Sequence, residues 1–550
     1  MKRIVNASLI VLFLLSLTSA DIIHVPADTT SIQGGIYLAG EGDTVLVDNG
    51  TYDENIDFKG KAITVASNFI IDADTNHVSK TIIDGSQFSN KDSASVVYFV
   101  SGEDTTSVLC GFTITGGIGT RRYSEPGDFY YRNAGGIALY LSGGKIIHNK
   151  IINNHIQTAE DENGYGAGIA ARGKAKVNLV IQHNQISNNT VNTYWGGGAG
   201  IVMGGYGYIL CESNIISNNT FTANGGISGG GGFYIYQTDS GEIYINSNKI
   251  INNKALSASD NRTGNGGGLY IENCSPNLYN NIIAGNSAGI GGGLMILTTQ
   301  GYKKIMKPVL INNTIIHNQA VIDNQTDTFG GGIYVKKPYS SPFTNPILIN
   351  TIIWGNKADR GAQIYLAVAT IDVAYSDVEG GWAGTGNIDV DPQFEEASFQ
   401  LSVSSQCIGA GIATFNISDT VLHCPPTDIA GNPRPAPALT NPDIGAYEDQ
   451  IITNIVNNYS GLPYKFVLKQ NYPNPFNPKT VISYQLAVIS DVELSIYSLL
   501  GQKVATLVSQ KQTTGIYQVE WDARGFASGV YYYRINTGEF VDTKKLVLLR

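Results

Sequence analysis

Two short phrases of small, apolar and amide residues recur along most of the chain. One is a run of glycines followed by β-forming apolar residues, as in Gly266-Gly267-Gly268-Leu269-Tyr270-Ile271. The other is Asn-x-Ile-Ile-x-Asn, as in Asn248-Lys249-Ile250-Ile251-Asn252-Asn253. The last glycine of each run lies at position 136, 168, 200, 232, 268, 293 or 332, so successive copies are 32, 32, 32, 36, 25 and 39 residues apart. Spacings in this range predict a stack of similar units.

Each residue type in these phrases suits one part of a coil. Isoleucines of successive copies can stack in parallel strands about 4.8 Å apart and form an inner ladder. Asparagine tolerates left-handed backbone angles and can bond along the stack, and glycine suits a corner where backbones approach closely. The shortest copy has only 25 residues, which leaves no room for a helix. The pattern therefore predicts an all-β right-handed parallel β-helix over residues 61–384.

Extra residues enter the repeat mainly after the second phrase, in segments 155–165, 190–195, 220–227 and 254–265. Insertions at one position of a repeat project from one flank of the stack, and segment 118–133 joins that flank if the register holds. Aromatic faces pack on sugar rings, and Arg binds hydroxyls or carboxylates. The predicted ligand-binding residues are Arg122, Tyr123, Tyr130, Tyr131, Arg132, Tyr165, Tyr194 and Trp195. The alternative is that these segments only cover the coils beneath them.

Carboxylates on the same flank are the candidates for catalysis. Paired Asp or Glu side chains can hydrolyse a glycosidic bond, and the residues available here are Glu160, Asp161 and Glu162, with Arg121 nearby. No His lies in the Gly-His-Gly motif of galacturonan hydrolases. Calcium-dependent lyases hold Ca²⁺ with several carboxylates, for which the candidates are Asp72, Asp74 and Asp84. No complete lyase, hydrolase or esterase motif is present, so enzymatic activity stays open.

The N-terminal residues predict export and the start of the stack. Lys2 and Arg3 precede an apolar run and a small-residue cleavage site, which is typical of a signal peptide over residues 1–20. Residues 21–60 predict a cap and the first strands, with one short helix within residues 31–38. The sequence Gly42-Asp43-Thr44-Val45-Leu46-Val47 resembles the opening of secreted right-handed parallel β-helix proteins on the pectate-lyase-like scaffold.

Residues 385–450 are predicted to close the stack. The segments Asp389-Val390-Asp391-Pro392-Gln393-Phe394 and Asp443-Ile444-Gly445-Ala446-Tyr447-Glu448 are similar to the choice-of-anchor Q region that follows β-helices in many surface proteins. The resemblance implies a structural cap, and we interpret its carboxylates accordingly.

A polar linker, residues 451–465, precedes a separate C-terminal domain, residues 466–550. Prolines followed by short alternating strands predict an Ig-like β-sandwich. The segments Asn471-Tyr472-Pro473-Asn474-Pro475-Phe476-Asn477-Pro478 and Ala527-Ser528-Gly529-Val530-Tyr531 resemble the type A sorting domain of the type IX secretion system. The resemblance implies passage through the outer membrane with the type IX machinery as partner, followed by release or surface attachment.

The net charge limits the classes of partner, and the cysteine positions allow one disulfide. The chain has 35 Lys and Arg against 45 Asp and Glu, a net charge of −10, which excludes a nucleic-acid partner because that requires a basic face. No transmembrane segment is expected in the mature chain. Of the five cysteines, Cys407 and Cys424 are close enough in sequence to form a disulfide.

Together these features predict an exported, monomeric β-helix protein that binds polysaccharide or acts as an adhesin through one flank. The alternative is a polysaccharide lyase or glycoside hydrolase that acts on a uronate-containing glycan. No cofactor is required by the sequence, and Ca²⁺ is the one that the carboxylates could bind.

Overall fold

A computed structural model describes residues 20–549 apart from 125–128, 174–176, 226–227, 237–241, 259–263, 322–326, 340–342, 396–397, 418–419, 439, 451–465, 487–489, 500, 513–514 and 539. The predicted linker and residues 1–19 of the predicted signal peptide lie outside the described residues. The chain divides into two compact units, residues 1–450 and 451–550.

Three long sheets of parallel strands run along the first unit. The first sheet comprises Ile22–Val25, Thr44–Val47, Thr64–Ser67, Val108–Cys110, Gly144–Ile147, Asn178–Gln182, Tyr208–Glu212, Glu242–Asn246, Asn277–Tyr279, Val309–Ile311, Ile347–Ile349 and Asp372–Ala374. The second comprises Gly50–Tyr52, Thr81–Asp84, Thr113–Thr115, Lys150–Ile152, Gln185–Ser187, Ile215–Ser217, Lys249–Ile251, Ile282–Ala284, Thr314–Ile316, Ile352–Trp354 and Asp377–Val378. The third comprises Ile56–Asp57, Val97–Phe99, Ile137–Tyr140, Ile169–Arg172, Ile201–Gly204, Phe233–Tyr236, Leu269–Glu272, Leu294–Leu297, Ile333–Lys336 and Ile364–Ala367.

The chain visits these sheets in turn, so each circuit adds one coil, and the predicted all-β parallel β-helix is confirmed. The predicted inner ladder is present in the second sheet. Its members are in register and completely buried: Ile151, Ile186, Ile216, Ile250, Ile283, Ile315 and Ile353. The apolar stack is therefore the core of the solenoid.

Two ladders of buried asparagines flank the second sheet. In one, each Nδ2 donates to the Oδ1 of the next coil at 2.9–3.1 Å through Asn154, Asn189, Asn219, Asn253, Asn286, Asn318 and Asn356. The other runs in the same way through Asn149, Asn184, Asn214, Asn248, Asn281 and Asn313. The residue before each rung commonly has positive φ, as at Asn252 (φ 56°). The bend and the ladder are thus made by adjacent residues with separate roles.

The glycine runs form the corner that leads into the third sheet. A Cβ at Gly268 would lie 2.7 Å from the carbonyl oxygen of Gly293 and 2.8 Å from Nδ2 of Asn286. Both distances are too short for a side-chain carbon, so this corner requires glycine. The rungs of the asparagine ladder and the glycine corner are therefore packed directly against each other.

The insertions on the predicted flank form two more sheets and are mostly not loops. One consists of the parallel strands His155–Gln157, Thr190–Thr193, Thr220–Ala223, Lys254–Ser257, Ser287–Ala288 and Gln319–Ala320. The other consists of Ser228–Gly229, Gly196–Gly197, Asn163–Tyr165, Phe129–Asn133, Gly119–Ser124 and Ser93–Ala94. In the second of these, Gly119–Ser124 and Phe129–Asn133 pair in antiparallel fashion. These two strands are called the hairpin below.

Both ends of the solenoid carry additional structure. The predicted N-terminal helix is present as Ile32–Leu38, with Ser31 accepting a hydrogen bond from the Gly34 amide, and its Ile32 and Ile36 join the core. Two short helices, Phe69–Asp72 and Thr75–Lys80, follow.

Residues 385–450, which include the antiparallel strands Thr414–Ile417 and Thr420–His423, pack with Ile282, Ile316 and Ile352 on the outer side of the second sheet. This segment therefore covers the side of the last coils.

The second unit contains two antiparallel sheets. One comprises Val467–Leu468, Lys479–Leu486 and Gly515–Asp522, and the other comprises Lys503–Gln512, Ser490–Ser498, Gly529–Asn536 and Val541–Leu548. Leu494, Ile496, Trp521 and Tyr533 are buried in one apolar cluster of this unit, as expected for the predicted sandwich. No helix within the described residues has the length and apolar character needed to cross a membrane.

Candidate functional site

The hairpin divides the predicted ligand-binding residues between its two faces. Arg122 pairs with Tyr131, whereas Tyr123 pairs with Tyr130 and Arg121 with Arg132. Side chains alternate between the faces of a strand, and paired residues share a face. Arg122 and Tyr131 therefore lie on one side of the hairpin, and the other four lie on the opposite side.

The side of the hairpin that carries Tyr131 forms one wall of a cleft of about 260 Å³, close to the lower limit of roughly 300 Å³ for small-ligand pockets. Its floor is the outer face of the third sheet, where the small side chains of Ala170 and Val202 leave space. The lining residues are Ser124, Phe129, Tyr131, Asn133, Tyr165, Ala170, Ala171, Arg172, Val202, Tyr234 and Tyr236.

Four tyrosines give this cleft its aromatic character. The rings of Tyr131 and Tyr165 meet edge to face at a centroid distance of 6.3 Å, and those of Tyr234 and Tyr236 are 5.3 Å apart. Burial raises the pKa of Tyr234 well above its ordinary value, so its hydroxyl is protonated at neutral pH. The cleft thus combines apolar ring faces with hydroxyl groups, a combination suited to sugar rings.

Tyr234 and Tyr236 were missed by reasoning from sequence because they belong to a core strand and not to an insertion. A signal was nevertheless present. The second residue after the last glycine changes from Ala138, Ala170 and Val202 to Tyr234 along successive coils. This column points outward, so the change from small to large side chains marks the end of the cleft.

A carboxyl group lies directly behind the aromatic wall. The Tyr234 hydroxyl donates to Oε2 of Glu272 at 2.7 Å. Burial raises the pKa of Glu272, although hydrogen bonds from Tyr234 and Tyr270 oppose the shift. The group can therefore hold a proton at a higher pH than an exposed glutamate.

The opposite face of the hairpin holds Arg121, whose Nε lies 2.8 Å from Oε1 of Glu162. The guanidinium of Arg121 also lies 3.9 Å from the ring centroid of Tyr130, which is itself 5.0 Å from the ring of Tyr123. Glu162 is almost completely buried, and it is neutralised by this ion pair. It therefore has a structural role in this arrangement.

The other predicted residues of this flank lie outside the cleft lining. Tyr194 and Trp195 are exposed, and Glu160 and Asp161 are exposed in a turn. Arg132 is buried and donates to the carbonyl oxygens of Lys91 and Gly119 and to the carboxylate of Asp92. Its role is to fasten the hairpin, and its burial argues against the predicted contact with ligand.

The candidate calcium ligands do not form one site. Asp72 accepts a hydrogen bond from the Asp74 amide, Asp74 caps a helix at Asn76, and Asp84 accepts from the Ser86 amide. Across the part of the chain that the structure describes, no group of three or more His, Cys, Asp or Glu side chains is placed to hold a metal ion.

The predicted disulfide is not formed in the structure, where Cys407 and Cys424 are both free thiols. The physical reason is that they belong to separate apolar clusters. The Cys407 thiol instead donates to Oδ2 of Asp377 at 3.3 Å.

A second concavity, of about 400 Å³, lies near the end of the solenoid and is lined by Gly361, Gln363, Glu379, Gly380 and Trp382 among others. Nε2 of Gln363 donates to Oε2 of Glu379 at 2.5 Å, so these two polar groups satisfy each other. The aromatic cleft is the better candidate site.

Comparison with known families matches residues 470–549 to the secretion system C-terminal sorting domain, which confirms the predicted sorting domain. This domain directs the protein through type IX secretion to the cell surface or to external release. No curated protein and no solved structure matches the chain. The resemblances to the pectate-lyase-like scaffold and to the choice-of-anchor Q region remain predictions.

Proposed function

We propose that this exported protein binds polysaccharide in the cleft, as a glycan-binding protein or adhesin at the cell surface or outside the cell. The observation that carries the proposal is the convergence of Tyr131, Tyr165, Tyr234 and Tyr236 on one cleft. Secretion supports it as well, because the sorting domain delivers the solenoid to a compartment where polysaccharides are exposed.

The rigidity of the site also favours binding. The floor of the cleft is formed by strands of a ten-stranded parallel sheet, and the hairpin that forms one wall is fastened by the buried Arg132, which donates to the carbonyl oxygens of Lys91 and Gly119. A preorganised site loses little conformational freedom when it binds a ligand. Partly buried tyrosines held by a solenoid can therefore present ring faces to a short segment of a glycan chain.

Filling the cleft tests the proposal without removing any aromatic group. Ala170 lies on the cleft floor, so Ala170→Phe would occupy the space that a sugar needs. We expect the full-length variant to lose at least about tenfold in affinity on an array of polysaccharides, a loss of about 1.4 kcal/mol.

The matched control is Ala367→Phe, at an outward position of the last strand of the same sheet. Wild-type binding in Ala170→Phe, with the fold intact by circular dichroism, would remove the cleft as the site.

Glycan cleavage at the same cleft is the second candidate function. The contact between Tyr234 and the partly buried carboxyl of Glu272 favours it, because proton transfer requires a group of this kind within hydrogen-bond reach. Release of unsaturated or reducing ends from a panel of uronate polysaccharides, with and without Ca²⁺, would support cleavage if Glu272→Gln abolished it while binding persisted. Absence of products across the panel would count against it.

A further inference from the structure

Two arginines border one end of the cleft. Arg172 lines the cleft and is exposed, and it lies in register with Tyr140 on the neighbouring strand. The guanidinium carbon of Arg122 lies 4.4 Å from the ring centroid of Tyr140. The two cationic side chains therefore approach the same end from the sheet and from the hairpin.

Neither arginine has a counter-ion within the described chain. The ion pairs of the described residues engage other arginines, including Arg121, Arg132, Arg360 and Arg434. The buried Nε of Arg122 also has no hydrogen-bond partner, and neither has Oδ1 of Asn133 on the cleft wall. An unpaired buried polar atom costs about 1–3 kcal/mol, so these groups favour a partner that the described residues do not supply.

The positive character of this end is local. The chain as a whole carries a net charge of −10, and no Asp or Glu is found among the described residues that line the cleft. Glu272, behind Tyr234, has a pKa raised by burial, which favours its uncharged form. The net negative charge of the chain does not favour anions in general, so selection of an anion at this end of the cleft would depend on specific contacts with the arginines.

We propose that the cleft selects an anionic sugar, one bearing a carboxylate or a sulfate ester, with Arg172 and Arg122 binding the anion and the tyrosines packing on the ring. A planar guanidinium can bind a carboxylate or sulfate through two parallel hydrogen bonds. The proposal rests on the proposed function and adds the chemical class of the ligand.

The test uses matched glycans that differ in charge. Full-length protein is titrated with oligogalacturonate, with the same oligomers after methyl esterification, with dextran sulfate and with dextran. We expect oligogalacturonate or dextran sulfate to bind at least about tenfold more tightly than its neutral counterpart, and the two arms distinguish carboxylate from sulfate. Arg172→Gln should remove most of this preference, so that the affinities for the charged and the neutral glycan become similar.

The control variant is Arg360→Gln, which alters an exposed arginine that is ion-paired with Asp327 at a later coil. It should retain the preference for the anionic glycan. Equal binding of charged and neutral glycans by the wild-type protein would overturn anion selection and leave the proposed function standing. Absence of binding to all four glycans would contradict both. A preference that persists in Arg172→Gln and also in Arg122→Gln would overturn the assignment of the arginines.

Discussion

Tyr130 and Tyr131 are consecutive residues of one strand, but they face different surroundings. Tyr131 lines the cleft beside Tyr165, whereas Tyr130 lies under the guanidinium of Arg121 on the other face of the hairpin. The alternation of the strand separates two side chains that sequence reasoning placed in one site. In our proposal, therefore, only the face of the hairpin that carries Tyr131 contacts the ligand.

The asparagine ladder should be a major source of solenoid stability. Nδ2 of Asn253 donates to the Ile216 carbonyl and to Asn286, and its Oδ1 accepts from Asn219. Asn253→Ala would leave these buried partners unsatisfied, and we expect the unfolding free energy to fall by about 3 kcal/mol. The measurement is urea unfolding followed by circular dichroism.

The adjacent Asn252 is the control for this variant, because it is exposed and provides the left-handed bend at φ 56°. Asn252→Gly keeps that bend accessible and should change stability by less than about 1 kcal/mol. Equal destabilisation by the two variants would show that the hydrogen bonds of the asparagine ladder are not the source of the stability lost in Asn253→Ala.

The end of the solenoid, where Asp377 and Asp443 lie, should become less stable as the pH rises. Burial raises the pKa of Asp377 from 3.8 to about 6, so the folded state binds this proton more tightly than the unfolded state. The resulting stabilisation is complete below about pH 4 and is lost as the pH rises through 6. The pKa of Asp443 is raised to about 7, so this residue adds a further loss of stability as the pH rises through 7.

Asp377→Asn should remove the first of these contributions. The amide can still accept from the Val390 amide through Oδ1, so the fold is expected to persist. Urea unfolding between pH 4 and 8 should show a flatter pH dependence in the variant below pH 6, with the Asp443 contribution retained. The same slope in both proteins would contradict the assignment to Asp377.

The sorting domain should depend on the hydroxyl of Tyr533. This buried group accepts from the Asn471 amide at 2.9 Å and donates to the Lys469 carbonyl at 2.7 Å. Tyr533→Phe would leave both backbone groups unpaired and should destabilise this domain by about 1–3 kcal/mol, measured by hydrogen exchange in the full-length protein. Tyr532→Phe, one residue earlier and only partly buried, should have little effect. A similar loss in both variants would argue against these hydrogen bonds as the cause.

The solenoid could be predicted well from the sequence because the residue pattern of each coil is short and recurs along the chain. Ile250 and Asn253 occupy positions that recur from coil to coil, and parallel stacking of the coils places the copies of each residue above one another, in an isoleucine ladder and an asparagine ladder. The glycine corner followed from the same repetition. The disulfide prediction failed because sequence separation says nothing about which apolar cluster encloses each thiol.

The site was only partly predictable for a different physical reason. The cleft lies on the flank that carries the insertions, with Tyr131 and Tyr165 in its lining and Arg122 near it. The face on which each residue lies depends on the register of Gly119–Ser124 with Phe129–Asn133, and that register depends on tertiary pairing. Glu125 and Asp128, between these strands, lie outside the described residues.

The comparison of Tyr131→Ala with Tyr130→Ala tests the central claim most directly. Both variants remove one tyrosine from the same strand, so general damage to the hairpin should be similar. Affinity for the tightest glycan bound by the full-length wild-type protein, measured by titration calorimetry, should fall about tenfold or more in Tyr131→Ala and stay within about twofold in Tyr130→Ala. Unchanged affinity in Tyr131→Ala, or an equal loss in both variants, would contradict binding in the cleft.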